Sequence, residues 1–510
     1  MLYQFLAAVF LILLIVDRWK PNKFVKLHKE LGNDWTYVPI LGNILKIVGS
    51  KEKFVTASLQ LASQAIKRKH KAVSIWVGAK LYVVMSDGDQ VNTVLRTALD
   101  KPFIYKFTKP ILGNGSVFAP VHIWHPRRKI LMPSFAPRYV NNFVSVFEAE
   151  SKILADQLEF EVGRGNFGCF DYIVTYSLIS VCETIFGETS DTQRTLDRTF
   201  FNAFSQCLKY VTDRITKPWL HIDAIYKLLP MYARQIKYTN IVYQCIDNVI
   251  YAKRKLLAKN DAIEKADNPV KTDKSKPPFN SFLELIVKNS KNNNEKGYTH
   301  EELREEIFVL GVAGTDTLAV GTSFTMLMLA QYPDVQDKVY KEIQEILGDS
   351  DKPLEAKDLI KLTYTTAVIK ESLRLYPPVS FITRHCHKDL ELPSGLVLPA
   401  GCDVIINILG VQRNPDYWGE DANEFKPERF ISGHVPPNGF IAFSQGARNC
   451  VGQQYAMLSM TTVLVTVLRR YRLKPATNVR RTKDNKLRLA FEVMTKEVNH
   501  FAVQVERREE

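Results

Sequence analysis

Several features that would assign a protein class are scarce or missing in this chain of 510 residues. Its seven cysteines are odd in number, lie far apart and include no C-x-x-C pair, which argues against a disulfide framework and a zinc site. No repeat of fixed period occurs, and no G-x-G-x-x-G follows a predicted strand. Repeat architectures and a fused dinucleotide-binding domain are therefore not expected. The cysteine usage fits a reducing, cytosol-facing location, with most cysteines as small core residues.

The composition is that of a globular protein, with 46% hydrophobic and 24% charged residues. The formal net charge is +14, but no dense basic stripe or nucleic-acid reading motif carries it. Nucleic acid is therefore not expected as a partner. Scattered positive charge favours an anionic lipid surface or an acidic protein partner, and a solvated basic surface without a partner remains the alternative.

The longest uncharged apolar run is residues 2–16, followed by the charged and aromatic residues 17–20. The run is shorter than the roughly 20 residues of a spanning helix, but tilt and local thinning of the bilayer can offset the difference. A cleaved signal peptide would have a basic leader and a small-residue cleavage site. We expect a retained N-terminal membrane anchor helix with a basic flank at residues 1–27, and a single catalytic domain at 28–510. The basic flank places that domain in the cytoplasm.

The body of the chain predicts a mainly α fold with small β-sheets. Helices are expected near residues 141–158, 172–186 and 301–330, and strands near 72–77, 81–85 and 396–399. Three further segments, rich in proline and glycine or in polar residues, are expected to be a connector at 39–43 and surface loops at 259–278 and 289–296.

The stretch from Phe443 to Gly452 carries the most chemical information. Gly446 lets backbone N–H groups approach the sulfur of Cys450, Arg448 adds a nearby cation, and an apolar helix-like run begins just afterwards. A helix N-terminus favours a thiolate over a thiol, and a thiolate donates electron density through haem iron. A lone cysteine in a turn is more often structural. Together, however, these five positions resemble the haem-binding loop of the cytochrome P450 family.

The resemblance covers nearly the whole chain, because the other family motifs occur in the family's order. It is strongest to the branch that holds fatty-acid ω-hydroxylases and many insect enzymes. It implies a cytochrome P450 fold and haem b with Cys450 as the iron ligand, with Phe443 and Arg448 at the cofactor. It also implies a location in the endoplasmic reticulum membrane.

A long helix is predicted to begin with a capping box formed by Thr299 and Glu302. Residues 311–317 within it contain two glycines and several hydroxyls, which weaken a helix and let threonine bond back to a carbonyl. A tolerated kink is the structural alternative. The segment is similar to the family's A-G-x-D-T pattern, which implies that Asp316 and Thr317 relay protons to dioxygen.

Two residues of this segment depart from the family pattern. Leu318 stands where a second threonine or serine is common, and Ala313 stands where the ω-hydroxylase branch often has a glutamate that esterifies a haem methyl group. Because alanine has no carboxylate, we expect haem without a covalent ester. The missing ester puts classical ω-hydroxylation in doubt.

Glu371 and Arg374 form an E-x-x-R pair, and a spacing of three places both charges on one helix face. On its own such a pair is usually exposed and contributes little to stability. With Arg429 in the downstream P-E-R-F, it is similar to the family's buried Glu–Arg–Arg cluster. The resemblance implies an architectural role, bracing the loop that carries Cys450.

The two carboxylates of haem need cationic or N–H partners. Residues 124–128 resemble the family's W-x-x-x-R, which implies that Trp124 donates its indole N–H and that Arg128 pairs with a carboxylate. Arg384 and Arg448 are further candidates. A surface aromatic beside a solvated base is the alternative for Trp124 and Arg128.

The resemblance implies a monooxygenase that hydroxylates or epoxidises a lipophilic molecule, such as a fatty acid, a hormone-like terpenoid or steroid, or a xenobiotic. Electrons would come from NADPH through a separate cytochrome P450 reductase, with cytochrome b5 as a second candidate donor. A reductase-independent haem-thiolate isomerase and a non-catalytic haem protein are the alternatives, and the acid–alcohol pair speaks against the first. The family's pocket positions are mostly apolar here and do not rank the substrates: Phe107, Leu112, Val312, Ala313, Val379 and Phe381.

Overall fold

The computed structural model describes residues 19–187, 198–265, 281–292, 298–348, 352–433, 435–482 and 486–508. The predicted anchor run at residues 2–16 lies outside the described residues. The chain divides into two compact units. The first is Met1–Phe103, Lys370–Cys450 and Arg481–Val498, and the second is Ile104–Ile369, Val451–Arg480 and Asn499–Glu510. The predicted division into residues 1–27 and 28–510 stays a prediction, and its boundary falls inside a helix, Asn22–Leu31.

The described α-helices, in chain order, are α1 Asn22–Leu31, α2 Ile44–Ile47, α3 Lys51–Lys67, α4 Gly88–Thr97, α5 Lys109–Leu112, α6 Val121–Leu131, α7 Pro137–Val140, α8 Val144–Leu158, α9 Cys169–Phe186, α10 Arg198–Thr216, α11 Asp223–Leu228, α12 Pro230–Lys265, α13 Phe282–Asn292, α14 His300–Gln331, α15 Pro333–Leu347, α16 Ala356–Leu359, α17 Thr363–Leu375, α18 Ile408–Val411, α19 Pro415–Trp418 and α20 Gln453–Arg470. The described strands are β1 Ala72–Val77, β2 Lys80–Met85, β3 Phe167–Gly168, β4 Phe381–His385, β5 Leu390–Glu391, β6 Val397–Leu398, β7 Asp403–Asn407, β8 Tyr471–Pro475, β9 Leu489–Glu492, β10 Met494–Glu497 and β11 Ala502–Arg507. The fold is mainly helical with small sheets, as the sequence predicts.

The first unit is built on a four-stranded sheet in the order β1-β2-β7-β4, in which only the β2–β7 pair is parallel. Successive side chains of a strand point to opposite faces, so one strand can serve two cores. In β2, Val83 and Met85 join one buried cluster while Val84 joins another. The sheet is therefore covered on both faces, and β4 carries Arg384 into this buried setting.

Residues 39–43 are not a free connector, and that expectation is wrong. Gly42 pairs with Val38 and with Val77 of β1. The Asn43 side chain is 1% exposed and accepts a hydrogen bond from the Trp76 backbone N–H at 3.0 Å. The segment adds backbone hydrogen bonds to the sheet edge, because polar groups buried there need partners.

The second unit is helical, and its most extensive described packing contact is between α9 and α14. The predicted capping box at Thr299 and Glu302 is confirmed, with both reciprocal hydrogen bonds present. Helix α14 continues without a break through residues 311–317 and ends at Gln331, two residues before Pro333. The predicted helix at 301–330 is therefore confirmed, and the glycines do not interrupt it. A three-stranded sheet, β3-β11-β8, completes this unit.

The two predicted surface loops are partly helical. Helix α12 continues to Lys265 and takes in the start of the segment 259–278, and α13 continues to Asn292 within the segment 289–296. Charged residues such as lysine and glutamate have good helix propensity, so a polar stretch next to a helix can extend it. The remaining residues of both segments lie outside the described ranges.

Within the described ranges, two helices have the length and apolar composition of a membrane span, α9 and α14. The apolar window of α9 is 56% buried and that of α14 is 72% buried inside the protein. Helices that are hydrophobic all round and covered by neighbours are typical of the core of a large protein.

Candidate active site

Cys450 ends a loop that is held by its own backbone. The Cys450 N–H donates to the carbonyl of Phe443 at 2.9 Å, and the Asn449 N–H donates to that of Gly446 at 3.1 Å. Gly446 has a φ of +72°, and a Cβ there would lie 2.6 Å from the carbonyl oxygen of Leu95. Only glycine fits this left-handed position and close approach. The loop therefore has a defined shape that places the cysteine at its end.

Cys450 differs from the other six cysteines, and all seven lie in described residues without a disulfide bond. Cys450 is exposed, whereas Cys182, Cys207 and Cys386 are buried. Burial raises the pKa of the Cys182 thiol to about 12 and those of Cys207 and Cys386 to about 11, because water no longer solvates the thiolate. Those thiols are held protonated, and Cys450 is the sulfur that is open to a ligand. Along the chain, α20 begins three residues later, at Gln453.

The predicted charge cluster is assembled within the first unit. Glu371 and Arg374 are both 0% exposed and form a two-point ion pair, with N–O distances of 2.6 and 2.8 Å. Arg429 lies 3.5 Å from Glu371 and 2.8 Å from Asp421. Arg374 also donates to the carbonyls of residues 412 and 422, both at 2.7 Å. A buried pair is tolerated because nearly all of its hydrogen-bonding capacity is used.

Gln412 connects this cluster to the cysteine loop, a link that the sequence did not suggest. Its carbonyl accepts from Arg374, and its side-chain oxygen accepts from the Ile441 N–H at 2.9 Å. The Ile441 carbonyl in turn accepts from the Ser444 N–H at 2.9 Å, inside the loop. Gln412 is 0% exposed, so these bonds are shielded from water. Hydrogen bonds to the carbonyl and the side chain of Gln412 thus connect the E-x-x-R pair to the start of the loop.

Three cations gather near the loop in the first unit. Arg384 is 1% exposed, and Arg448 is half-buried. Lys101 joins them because the Asp100 carbonyl accepts from the His385 N–H at 2.9 Å. Burial, and then the positive charges of Arg384 and Arg448, lower the pKa of Lys101 well below its usual value. The sequence predicted the two arginines but not Lys101, which has no motif around it.

This cluster fits the group that the sequence implies. Lysine and arginine side chains hold carboxylates through charge-assisted hydrogen bonds, and haem carries two carboxylates. An exposed sulfur on a shaped loop and a set of cations are what a haem with two propionates requires from a protein. The residues of the first unit therefore fit haem: Cys450 for the iron, and Arg384, Arg448 and Lys101 for the carboxylates.

Helix α6 of the second unit carries Trp124 and Arg128 one turn apart. Trp124 is 4% exposed, and the guanidinium of Arg128 lies 6.0 Å from the centroid of its indole ring. Their neighbour Arg127 is buried and bonds within the second unit, whereas His125 is exposed. The alternative of a surface aromatic does not hold for Trp124, which is a core residue, and Arg128 is half-buried beside it.

Asp316 and Thr317 are consecutive residues on α14. Asp316 is 5% exposed, and Thr317 donates its hydroxyl proton to the Ala313 carbonyl at 2.5 Å. This is the backward bond that the sequence predicted, and it forms without breaking the helix. The bond uses the hydroxyl proton, so the oxygen of Thr317 is left as a hydrogen-bond acceptor.

The predicted pocket residues are distributed over both units. Phe107 and Leu112 in the second unit are each 1% exposed, and Phe107 packs against the guanidinium of Arg214. Phe381 in the first unit packs against Phe54 and Phe491 with tilted rings, whose centroids lie 5.5 and 5.1 Å from that of Phe381. The remaining predicted positions are Val312, which is buried, and Ala313 and Val379, which are partly buried.

The second unit also contains a small apolar cavity of about 20 Å³. Its walls include Val181 of α9, Phe204 of α10, Ile246 of α12 and Phe308 of α14. Pockets that bury drug-sized ligands are roughly 300–1,000 Å³, so this cavity is far too small for a lipophilic substrate.

Comparison with known proteins agrees with this arrangement. The family model described as Cytochrome P450 matches residues 33–500. Cytochrome P450 4c21 of Blattella germanica is 29% identical over 459 residues, covering 89% of each chain. Cytochrome P450 4V2 of Rattus norvegicus and Cytochrome P450 4c3 of Drosophila melanogaster are also 29% identical, over 480 and 483 residues, covering 92% of this chain and 89% of theirs. The predicted likeness to a branch with many insect enzymes is confirmed.

The family match covers far more than half of the chain and includes every residue that the sequence singled out for haem or dioxygen chemistry. The chain therefore belongs to the cytochrome P450 family, oxidoreductases that act as monooxygenases and hold haem iron through a cysteine thiolate.

Proposed function

We propose that this cytochrome P450 inserts one oxygen atom of dioxygen into a lipophilic small molecule, by hydroxylation or epoxidation. Electrons come from NADPH through a separate flavoprotein reductase, because no G-x-G-x-x-G follows a strand in this chain. The observation that carries the proposal is the exposed Cys450 at the end of a loop that is tied to a buried Glu–Arg pair.

In this proposal Cys450 holds the haem iron, and Arg384, Arg448 and Lys101 hold the haem carboxylates. Haem with a thiolate ligand supplies the redox chemistry that activates dioxygen. The protein's part is to keep the sulfur as a thiolate and to fix its position. Phe443 contributes through its carbonyl, which accepts from the Cys450 N–H and sets the end of the loop. Trp124 and Arg128 are proposed as further carboxylate partners on the strength of their sequence pattern.

We assign proton delivery to Asp316 and Thr317. The Thr317 oxygen accepts hydrogen bonds because its own proton is donated to Ala313, and it can therefore hold a water molecule in place. Asp316 is the neighbouring acid, and it is buried where a proton can pass through such a water. A general acid positioned in this way contributes about 10²–10⁴-fold to a rate.

The substrate is proposed to be lipophilic because the predicted pocket positions are apolar or aromatic. The fatty acids, terpenoids, steroids and xenobiotics expected from the sequence all satisfy this requirement. Ala313 has no carboxylate, so haem is proposed to lack a covalent ester to this position. A role in insect hormone or xenobiotic metabolism follows as part of the same proposal.

We also propose that the enzyme works at the endoplasmic reticulum membrane, anchored by residues 2–16 with its catalytic domain facing the cytoplasm. The basic net charge of +14 would attract an acidic reductase, and the exposed Lys129 and half-buried Arg448 are candidate contacts. Cytochrome b5 is proposed as a second candidate donor, on the family resemblance alone.

The test uses the full-length protein in lipid vesicles with an NADPH–cytochrome P450 reductase. Fatty acids, terpenoids, steroids and plant toxins are offered in turn, and oxygenated product is measured against NADPH consumed. Product that requires both reductase and dioxygen supports the proposal. Conversion of an organic peroxide without reductase would instead support the isomerase alternative, and a bound haem without any turnover would support a non-catalytic role.

A further inference from the structure

A short segment of the second unit, residues 113–116 after α5, lies unusually close to α14. A Cβ on Gly113 would be 2.2 Å from the Glu305 carboxylate, and a Cβ on Gly115 would be 2.3 Å from the Val309 side chain. Real Cβ atoms do not come so near, so this approach requires glycine at both positions. The segment is therefore built to touch α14, and the chain enters α6 only five residues later, at Val121.

A buried carboxylate on α14 holds this segment. Glu306 is 0% exposed, and its Oε1 atom accepts from both the backbone N–H and the hydroxyl of Ser116, each at 2.8 Å. Arg127 of α6 approaches the same atom at 3.4 Å and donates to the Asn114 carbonyl at 2.6 Å. One carboxylate thus joins three parts of the second unit: α14, the segment 113–116 and α6.

The charges around Glu306 are unbalanced. Arg127 is the cation that faces it, while Glu305 at 2.9 Å and Glu302 at 3.4 Å also bind Arg127. Tyr298 adds its hydroxyl, which donates to the Arg127 carbonyl at 2.8 Å. Three carboxylates therefore share one guanidinium in a largely buried place, which disfavours full ionisation. Burial raises the pKa of Glu306 to about 7, although Ser116 and Arg127 oppose the shift.

The second carboxylate oxygen of Glu306 also disfavours the ionised form. Its Oε2 atom is buried and has no hydrogen-bond partner among the described residues. A bare carboxylate oxygen is costly to bury, whereas a protonated oxygen at that position removes the charge. Ionisation of Glu306 therefore favours any arrangement that lets water reach this oxygen, because water would solvate the charge.

We propose that Glu306 is a positioning residue whose protonated form clamps the segment 113–116 and α6 onto α14, and whose ionised form loosens that clamp. Because α6 carries Trp124 and Arg128, the clamp sets how firmly these two side chains are presented. That consequence for the reaction rests on the proposed function, whereas the clamp itself does not.

The test is hydrogen–deuterium exchange of the full-length holoenzyme between pH 5.5 and pH 8.5, read at the Ser116 amide and corrected for the intrinsic effect of pH. In the wild type we expect protection to fall about three- to tenfold as pH increases through the titration of Glu306, because the buried charge favours opening of the segment to water. In Glu306→Gln the step disappears, since the amide side chain does not titrate.

Two further variants keep the test decisive. Glu301→Gln is the matched control on the same helix and should retain the step, because Glu301 is exposed and contacts Arg304 rather than Arg127. Ser116→Ala removes a hydrogen bond that favours ionised Glu306, so the step in its exchange profile should move to higher pH. If Glu306→Gln does not fold, Ser116→Ala provides the test instead. A flat wild-type profile, an unchanged step in Glu306→Gln, or an unmoved midpoint in Ser116→Ala would overturn the inference. The exchange step needs no turnover, so an enzyme inactive with reductase but showing the step would refute only the proposed function.

Discussion

Replacement of Glu371 by alanine is the perturbation for which the structure supplies the fullest accounting. Glu371 is 0% exposed and makes two short contacts with Arg374, which is also 0% exposed. Its Oε1 atom further accepts from the Lys426 N–H at 2.9 Å and lies 3.5 Å from Arg429. Alanine removes every one of these contacts and leaves the cations behind.

The loss of these contacts lowers the free energy of unfolding in two ways. Removing one partner of a buried ion pair typically costs about 3–5 kcal/mol, because the other charge remains buried. An orphaned buried N–H, here that of Lys426, costs about 1–3 kcal/mol more. Arg374 keeps its bonds to the carbonyls of residues 412 and 422, which limits the first cost. We expect a loss of about 4 kcal/mol, a large part of the roughly 5–15 kcal/mol that stabilises a folded protein.

The assay is urea unfolding of the full-length protein, followed by tryptophan fluorescence and by the Soret band of bound haem. Glu371→Ala should lower the midpoint sharply and reduce the fraction of protein that carries haem. Glu492→Ala is the matched control in the same unit, because Glu492 pairs with Lys51 while both side chains are about half exposed. An exposed pair of this kind contributes less than about 1 kcal/mol. If Glu371→Ala also costs less than 1 kcal/mol, the bracing argument is refuted.

Four further predictions follow from the described contacts. Reduced protein with carbon monoxide should show a strongly red-shifted Soret band that is lost in Cys450→Ser, whereas an unshifted wild-type band would contradict thiolate ligation. Thr317→Val keeps the side-chain shape but removes the acceptor oxygen, so product per NADPH should fall about tenfold or more, and equal yields would remove Thr317 from proton delivery. Acidified organic solvent should extract all haem from the wild type, and a Soret band that stays with the protein would contradict the absence of an ester at Ala313. The raised pKa of Glu306 means that the folded state keeps a proton that the unfolded state has lost. The free energy of unfolding of the wild type should therefore fall relative to that of Glu306→Gln as pH rises from about 4.5 to about 7, by up to about 3 kcal/mol. Parallel stability curves would contradict this.

Local patterns allowed much of the fold to be predicted from the sequence. The capping box at Thr299, the long helix after it and the strands near residues 72–77 and 81–85 all depend on neighbours within a few residues. The spacing of three between Glu371 and Arg374 likewise predicts their contact on one helix face. Patterns failed where proline and glycine, at residues 39–43, or polar residues, at the ends of α12 and α13, were taken for irregular structure.

The residues of the candidate site come from distant parts of the sequence, whereas each motif covers only a few neighbouring residues. Motifs named Cys450, Arg384 and Arg448, but nothing near Lys101 or Gln412 in the sequence marks them for the same neighbourhood. Lys101 reaches the arginines because a strand pairs with the preceding residue, and Gln412 because its amide bonds to distant backbone groups. Such contacts depend on which surfaces pack together, and a residue's own flanking sequence does not encode that.

The sequence alone therefore determined the family, and it predicts Cys450 as the thiolate ligand and Asp316 with Thr317 as the acid–alcohol pair, since each lies in consecutive or closely spaced residues. Only the tertiary structure decided that the Glu306 carboxylate on α14 accepts hydrogen bonds from Ser116, 190 positions earlier in the chain. Burial in the folded protein also raises the pKa of this carboxylate to about 7. Periodicity and spacing act over a few residues, whereas desolvation and charge balance depend on every group that folding brings near.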